Sequence, residues 1–129
     1  MSEKTYTVTL TETQLRELNR ACDVVSRIMC GQLADVWRLL PHCEDRDWVV
    51  FGDDIAGIEA VLSKHCGTDI SRSGLGIMNT SVDNAARTLY DMHQVFRKKL
   101  HDNSATSSQH TVDAYDAIAT GSQPLVVVK

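Results

Sequence analysis

Side chains suited to nucleotide binding recur at helical spacing in the second half of the chain. Tyr90, Gln94 and Arg97 are spaced by four and three residues, and His101 follows four residues later, so a helix places them on one side. An aromatic ring, an amide and a guanidinium together can stack on a base and hydrogen-bond a phosphate. The spacing therefore predicts a binding face for a small nucleotide, although a tyrosine at the edge of the core would also explain Tyr90.

The same segment ends in a local concentration of positive charge, formed by Arg97, Lys98, Lys99 and His101. Cations near the C-terminus of a helix complement its dipole, and each contributes about 0.3 to 1 kcal/mol. Helix stability alone explains the cluster, and phosphate binding is the functional alternative. The sequence leaves both interpretations open.

A second polar set lies on the first predicted helix and consists of Arg20, Arg27, Gly31, Gln32 and Arg38. Arg27 lies about one turn from Gly31, where a missing side chain could admit a ligand to the backbone. The alternative is that these arginines pair with Asp23 and Asp35 on a solvated surface, where such pairs add little stability.

The glycine loop, residues 67–80, begins a nucleotide-binding pattern without completing it. The run from Gly74 to Asn79 starts like a dinucleotide fingerprint, but the third glycine is missing and no clear strand leads into it. A plain loop explains these glycines better. The loop can still supply an apolar or amide lid to a neighbouring pocket, and Asn79 is its candidate ligand-binding residue.

Catalytic and metal-binding motifs are absent from the sequence. No Walker motif, nucleophile elbow or His-Glu-x-x-His pattern occurs. The pairs His42-Cys43 and His65-Cys66 lack ligand spacing, because adjacent residues project in different directions. We therefore expect no enzyme activity, no catalytic residue, no metal site and no cofactor.

Length and charge restrict the class of protein further. The chain has 129 residues, 43% of them hydrophobic, which is enough for a single domain covering residues 1–129. Its 13 basic and 17 acidic side chains give a formal net charge of -4, which disfavours duplex nucleic acid but allows a small anion. Without an 18-residue apolar stretch or a signal sequence, we expect no membrane association and a cytoplasmic protein.

The candidate residues depend on a long first helix. Thr11 and Gln14 form a capping-box pattern that starts a helix at Glu12. Apolar residues then recur at steps of three and four up to Pro41, and the stretch from 11 to 40 is roughly 45 Å long as a helix. A helix of that length must protrude, bend or pack on a second subunit. A break near Gly31 is the alternative.

The remaining elements complete a mainly α, α+β fold. Two further helices are predicted, from Asp53 to His65 and from Thr80 or Ser81 to about Asp102. Residues 103–123 form a flexible segment rich in Ser and Thr, with a short helical turn around 112–119. The alternating residues 5–10 and the β-prone residues 125–129 are predicted to pair as a small antiparallel sheet.

Two short motifs resemble a known family. The runs Arg27-Ile-Met-Cys-Gly31-Gln32-Leu33 and Tyr90-Asp-Met-His-Gln94-Val95-Phe-Arg97 resemble the first family of Thoeris anti-defence proteins encoded by phages. These are sponges that sequester cyclic ADP-ribose isomers made by bacterial immune TIR enzymes, and some bind cyclic oligonucleotide signals. The resemblance covers roughly residues 5–102, including the order of strand, long helix, glycine loop and helix.

The resemblance implies a homo-oligomer built from dimers, either a dimer or a trimer of dimers, in the cytoplasm of the bacterial host. Its pockets would lie between subunits and bind the signal without cleaving it. The matching candidate residues are Arg27, Gly31, Gln32, Tyr90, Gln94 and Arg97. Lys98 departs from the family pattern, because it stands where a second arginine is expected and offers a point charge instead of a planar fork.

Two other functions remain open on the sequence. The first is a phage protein-interaction module that inhibits a host protein through a helical surface and needs no small ligand. The second is a hydrolase of the same cyclic signals. The three functions differ in whether a ligand is retained intact, cleaved or ignored.

Overall fold

The computed structural model describes residues 3–41, 45–66, 70–71, 74–104 and 111–129. Within these ranges the chain forms four α-helices and one short 3-10 turn. They are α1 (Glu12–Met29), α2 (Ala34–Leu39), α3 (Trp48–Ser63), α4 (Asn84–Asp102) and the turn Val112–Ala114. None of the helices in these ranges is both long enough and apolar enough to cross a bilayer.

The N-terminus of α1 confirms the predicted capping box. The Gln14 amide donates to Thr11 Oγ1 at 3.2 Å, and the Thr11 amide donates to Gln14 Oε1 at 2.9 Å. This reciprocal pair satisfies two amides that have no partner inside the helix. The helix therefore begins at Glu12, as the sequence indicates.

The predicted long helix from 11 to 40 is wrong, because α1 ends at Met29. Gly31 adopts a φ of 84°, a conformation that side-chain-bearing residues rarely take. The chain resumes as the six-residue α2. At 18 residues, α1 is only about 27 Å long, so helix length no longer requires a second subunit.

Helices α1 and α4 pack extensively against each other and supply most of the core. Ser26 and Cys22 of α1 are buried, as are Ala86, Phe96 and Leu100 of α4. The buried Ser26 hydroxyl donates to the Asp23 carbonyl oxygen at 2.8 Å, which removes the cost of burying it. Helix α4 ends at Asp102, as predicted, and is capped at its start by Asp83, which accepts from the Ala85 amide.

The predicted antiparallel sheet is also wrong, since no strand forms in the part of the chain that the structure describes. Residues 5–10 are exposed. Glu3 and Val126 both line a cavity of about 730 Å³ beside α4. The single chain therefore leaves these β-prone residues without a strand partner.

Side chains of α4 hold the C-terminal segment instead. The Asp91 carboxylate, 4% exposed, accepts from the Thr120 amide, the Thr120 hydroxyl and the Gly121 amide at 2.6 to 3.0 Å. Near the start of α4, Asn84 exchanges two hydrogen bonds with Ser122. Of the predicted flexible segment 103–123, residues 105–110 lie outside the described part, and residues 118–122 are anchored on α4.

Helix α3 begins five residues earlier than the predicted Asp53. Asp47 accepts from the Val49 and Val50 amides at 3.0 and 3.1 Å and starts the helix at Trp48. This cap overrides the β propensity of the apolar run that follows it. At the other end, Ser63 Oγ bonds both the amide and the carbonyl oxygen of the buried Ile70.

We predict that Asp91→Ala lowers the free energy of unfolding by about 1.5 to 3 kcal/mol, because the amides on the C-terminal segment lose a charged acceptor. Chemical denaturation measures the change. The exposed Glu17→Ala on α1 is the control and should change stability by less than about 0.5 kcal/mol. Equal stability of Asp91→Ala and the parent would contradict the anchoring role.

Candidate ligand pocket

The pocket is built on the turn that ends α1. The Gly31 amide donates to the Ile28 carbonyl oxygen, and the Gln32 amide donates to that of Arg27, both at 2.9 Å. These two bonds form a Schellman motif with glycine in the left-handed position. The turn brings Gln32 back beside Arg27, where Arg27 Nη1 lies 3.4 Å from Gln32 Oε1.

The glycine loop packs directly on this turn. The Leu75 amide donates to the Cys30 carbonyl oxygen at 2.7 Å, and the Ser71 amide donates to that of Gly31 at 3.1 Å. Gly74 has a φ of 56°, and a Cβ there would lie 2.6 Å from Gln32 Cγ and closer still to the Cys30 oxygen. Glycine is therefore required at this position by both backbone conformation and space.

Arg87 of α4 binds the other end of the glycine loop. Its Nε donates to the Ile77 carbonyl oxygen at 3.0 Å, and its Nη2 donates to that of Asn79 at 2.8 Å. Asn79 Oδ1 also accepts from the Ser81 amide, so this candidate residue serves the loop's own structure. Arg87 was not among the residues predicted from the sequence, although its position three residues before Tyr90 on the same helix face was an available signal.

Between the turn, the loop and α4 lies a cavity of about 240 Å³. Three of the predicted ligand-binding residues line it, namely Arg27, Gln32 and Tyr90. The other lining residues are Asp23, Ser26, Cys30, Leu75, Gly76 and Ile77. The predicted residue Gly31 does not line the cavity but forms the turn next to it. The structure thus brings together residues from two helices that are about 60 positions apart in sequence.

Asp23 fixes the orientation of the Arg27 guanidinium. Arg27 Nε donates to Asp23 Oδ1 at 2.9 Å, as the alternative interpretation of these arginines proposed. The pair is partly solvent-exposed, so it orients the side chain more than it stabilises the fold. The same carboxylate oxygen lies 3.6 Å from His93 Nε2.

His93 is a second residue beside this site that was not predicted from the sequence. Its Nδ1 lies 2.7 Å from Asn19 Oδ1, and its ring lies 6.2 Å from that of Tyr90. Burial lowers the pKa of His93 below its usual value, which the Asp23 carboxylate opposes and the Arg97 and Arg27 cations reinforce.

The structure does not bring Gln94 into the cavity. Gln94 is 6% exposed and exchanges two hydrogen bonds with the Ile118 backbone, at 3.0 and 2.9 Å. The Gln94 amide therefore satisfies the backbone N–H and C=O of Ile118, as a neighbouring strand would, and holds the C-terminal segment on α4. The sequence predicted that Gln94 and Tyr90 share one side of the helix. It did not predict the hydrogen-bond partner of Gln94, Ile118, which lies 24 residues away.

Arg97 and Lys98 also lie outside the lining of the cavity. Lys98 pairs with Asp102 at 2.7 Å on the helix surface, and Asp102 has a lowered pKa chiefly because of that hydrogen bond. Arg97 Nε is buried and makes no hydrogen bond to any described residue. The side chains of Asp35 and Arg38, and residues His42 and Cys43, lie outside the described part of the structure.

Comparison with known proteins does not assign the chain to a family. No family model matches the sequence, and neither the curated proteins nor the solved structures contain a match.

We predict that Gly74→Ala destabilises the protein by about 2 to 3 kcal/mol, because the new Cβ meets the α1 turn and the positive φ is strained. Gly76→Ala is the matched control, since no atom lies within 4 Å of its added Cβ. Thermal unfolding of both variants measures the difference. Similar melting temperatures for the two would show that the loop does not pack on the turn.

We also predict a pH dependence of stability that originates at His93. Because its pKa is lower in the folded chain, the unfolded chain takes up the proton first as pH falls. The free energy of unfolding should therefore decrease as pH drops below about 6.5. Denaturant unfolding between pH 7.5 and 5.5 should show a smaller decrease in His93→Gln. An identical decrease in both proteins would contradict this origin.

Proposed function

We propose that this protein binds a small cyclic nucleotide signal and sequesters it without cleaving it, in the cytoplasm of a bacterial host. The resemblance to the Thoeris anti-defence sponges suggests cyclic ADP-ribose isomers as the ligands, with cyclic oligonucleotides as further members of the class. The observation that supports the proposal is the convergence of Arg27, Gln32 and Tyr90 on one cavity. No catalytic step is part of the proposal.

Each group in the cavity suits one part of such a ligand. The Arg27 guanidinium can bind a phosphate, and its hydrogen bond to Asp23 fixes the orientation of the guanidinium. The Tyr90 ring and the apolar side chains of Leu75 and Ile77 offer surfaces for a base. The Gln32 amide can donate or accept at a base edge or a ribose hydroxyl. A few such groups suffice for a ligand with two or three charges, even in an acidic protein.

The size of the cavity is consistent with a site shared between subunits. Pockets for small molecules usually measure about 300 to 1,000 Å³, whereas this cavity measures about 240 Å³. One chain therefore encloses part of a cyclic dinucleotide. We propose that a second copy completes the pocket, within a dimer or a trimer of dimers. Exclusion of water by that copy would strengthen the contacts of Arg27.

Retention without cleavage agrees with the surroundings of His93. General acid or base catalysis requires a titratable group within reach of the reacting atoms. His93 does not line the cavity, and its two nitrogens lie near Asn19 and Asp23 of α1. Asp23 does line the cavity, but its carboxylate accepts from Arg27, so the proposal gives it an orienting role, and the ligand-mass measurement decides for or against the hydrolase alternative.

The protein-interaction module remains the second candidate function, and one observation favours it. Helix α3 exposes Trp48, Val49 and Val61, and exposed apolar surface of this kind is typical of protein-interaction sites. A host protein bound there would need no small ligand. The two candidates differ in whether the purified protein retains a nucleotide.

Native mass spectrometry after incubation with cyclic ADP-ribose isomers and with a cyclic dinucleotide tests the proposal. We expect one of these ligands to be retained at its intact mass. Arg27→Ala should weaken binding by about tenfold to a hundredfold, because a charge-assisted hydrogen bond to the phosphate is lost. Arg16→Ala is the control, since Arg16 lies on the same helix and pairs with Glu12 on the surface.

The other outcomes contradict the proposal in distinct ways. A changed ligand mass would identify an enzyme, and no retained ligand would favour the interaction module. Equal binding by the Arg27→Ala and Arg16→Ala variants would place the ligand elsewhere. The melting temperatures of both variants should stay close to that of the parent, because both arginines form exposed ion pairs.

A further inference from the structure

The ring of His93 lies between α4 and α1 and reaches α1 with both of its nitrogens. Its Nδ1 lies 2.7 Å from Asn19 Oδ1, and its Nε2 lies 3.6 Å from Asp23 Oδ1. The His93 side chain is only 12% exposed. Asn19 and Asp23 are four residues apart, so both lie on one side of α1. One imidazole is therefore held between an amide oxygen and a carboxylate.

These two neighbours determine where the ring carries its hydrogen. An amide oxygen accepts hydrogen bonds, so the contact with Asn19 places the hydrogen of neutral His93 on Nδ1. The lone pair of Nε2 then faces the Asp23 carboxylate, and two acceptors cannot bond each other. A second proton, on Nε2, turns this contact into a charge-assisted hydrogen bond. The surroundings of His93 thus suit a histidine that changes its charge.

The Asp23 oxygen that faces His93 is also the oxygen that holds Arg27. Arg27 Nε donates to Asp23 Oδ1 at 2.9 Å, and Arg27 lines the cavity whereas His93 does not. When His93 is protonated, this carboxylate is shared between two cations. Less of the positive charge of Arg27 is then neutralised. His93 can therefore change the charge at the pocket without touching a ligand.

The charged groups around His93 lie on three elements of the described structure. Burial lowers the pKa of His93, and so do Arg97 of α4 and Arg27 of α1, whereas Asp23 of α1 and Asp113 of the 3-10 turn raise it. A phosphate bound at Arg27 would add a negative charge beside these cations and raise the pKa of His93. Protonation of His93 and binding of an anion therefore favour each other by the same factor.

We propose that His93 is a positioning residue for Arg27: its protonation engages Asp23 and leaves more of the positive charge of Arg27 to a phosphate in the cavity. The inference rests on the proposed function for the identity of that phosphate. The coupling of His93 to Arg27 is a property of the chain alone and is measured without a ligand. A phosphodiester or pyrophosphate diester stays ionised at neutral and mildly acidic pH, so the pH dependence originates in the protein.

Nitrogen-15 NMR of the full chain without ligand tests the coupling. We expect neutral His93 to carry its hydrogen on Nδ1, and the Arg27 Nε signal to shift with the same midpoint pH as His93. His93→Gln should abolish that shift. Arg16 is the control, because it pairs with Glu12 on the surface of the same helix and should not follow His93. A neutral ring protonated on Nε2, or an Arg27 signal that does not follow His93, would overturn the proposal.

Calorimetric titration with the cyclic ADP-ribose isomers and the cyclic dinucleotide, at pH 7.5 and 5.5, measures the effect on binding. The parent should bind about three- to tenfold more tightly at pH 5.5, and His93→Gln should show no such increase. Asn19→Asp puts a carboxylate at Nδ1 and favours the protonated ring, so the increase should begin at a higher pH. Asn103→Asp adds the same charge at the C-terminal cap of α4 and should keep the parent's profile. Circular dichroism at both pH values checks that each variant is folded.

The outcomes for His93 and for the proposed function are distinguishable. A nucleotide bound equally at both pH values, or an Asn19→Asp profile identical to the parent's, would overturn the role of His93 and leave the proposed function intact. If no nucleotide binds, the proposed function fails. NMR titration with sulfate, read at Arg27 Nε, then measures the effect of His93 on a bound anion. Tighter sulfate binding at pH 5.5 that His93→Gln removes would support the proposal, and equal binding would overturn it.

Discussion

The positive φ of Gly31 is the constraint on which the candidate pocket depends. Because the backbone turns sharply there, the carbonyl groups at the end of α1 accept hydrogen bonds from the turn and from the glycine loop. That loop can approach only because Gly74 has no side chain. Two glycines about 40 positions apart in sequence therefore create the wall of one cavity. Arg27 and Gln32 face each other across the turn that Gly31 forms.

Different side chains of helix α4 contact different parts of the molecule. It packs on α1, and its Arg87 holds the glycine loop while Tyr90 lines the cavity. Asp91 and Gln94, only one and four residues beyond Tyr90, are turned towards the C-terminal segment instead. Polar residues on one helix thus line the candidate cavity in one case and hold the C-terminal segment in the other. Burial and hydrogen-bond partners distinguish these uses, whereas residue type does not.

The charges around the candidate pocket are compatible with the anionic ligand that we propose for this acidic protein. Arg27 lies at the cavity with its Nε held by Asp23, and Arg97 is near enough to lower the pKa of His93. A positive charge in a partly enclosed space, such as that of Arg27, acts more strongly than the same charge in water. The net charge of -4 is spread elsewhere, notably over the acidic residues of α3. A local site and an overall charge of opposite sign are therefore compatible.

The sequence by itself determined the features that depend on neighbours within about four positions. The capping box at Thr11 and the end of α4 at Asp102 are of this kind. The placement of Tyr90 and Gln94 on one side of α4 and the spacing of about one turn between Arg27 and Gly31 are also of this kind. Only the tertiary structure decided whether Gly31 breaks the first helix, what Gln94 bonds, and whether the terminal residues pair as strands. The reason is that these outcomes depend on contacts between distant segments, such as Leu75 with Cys30 and Thr120 with Asp91. Periodicity within a helix carries no information about those partners.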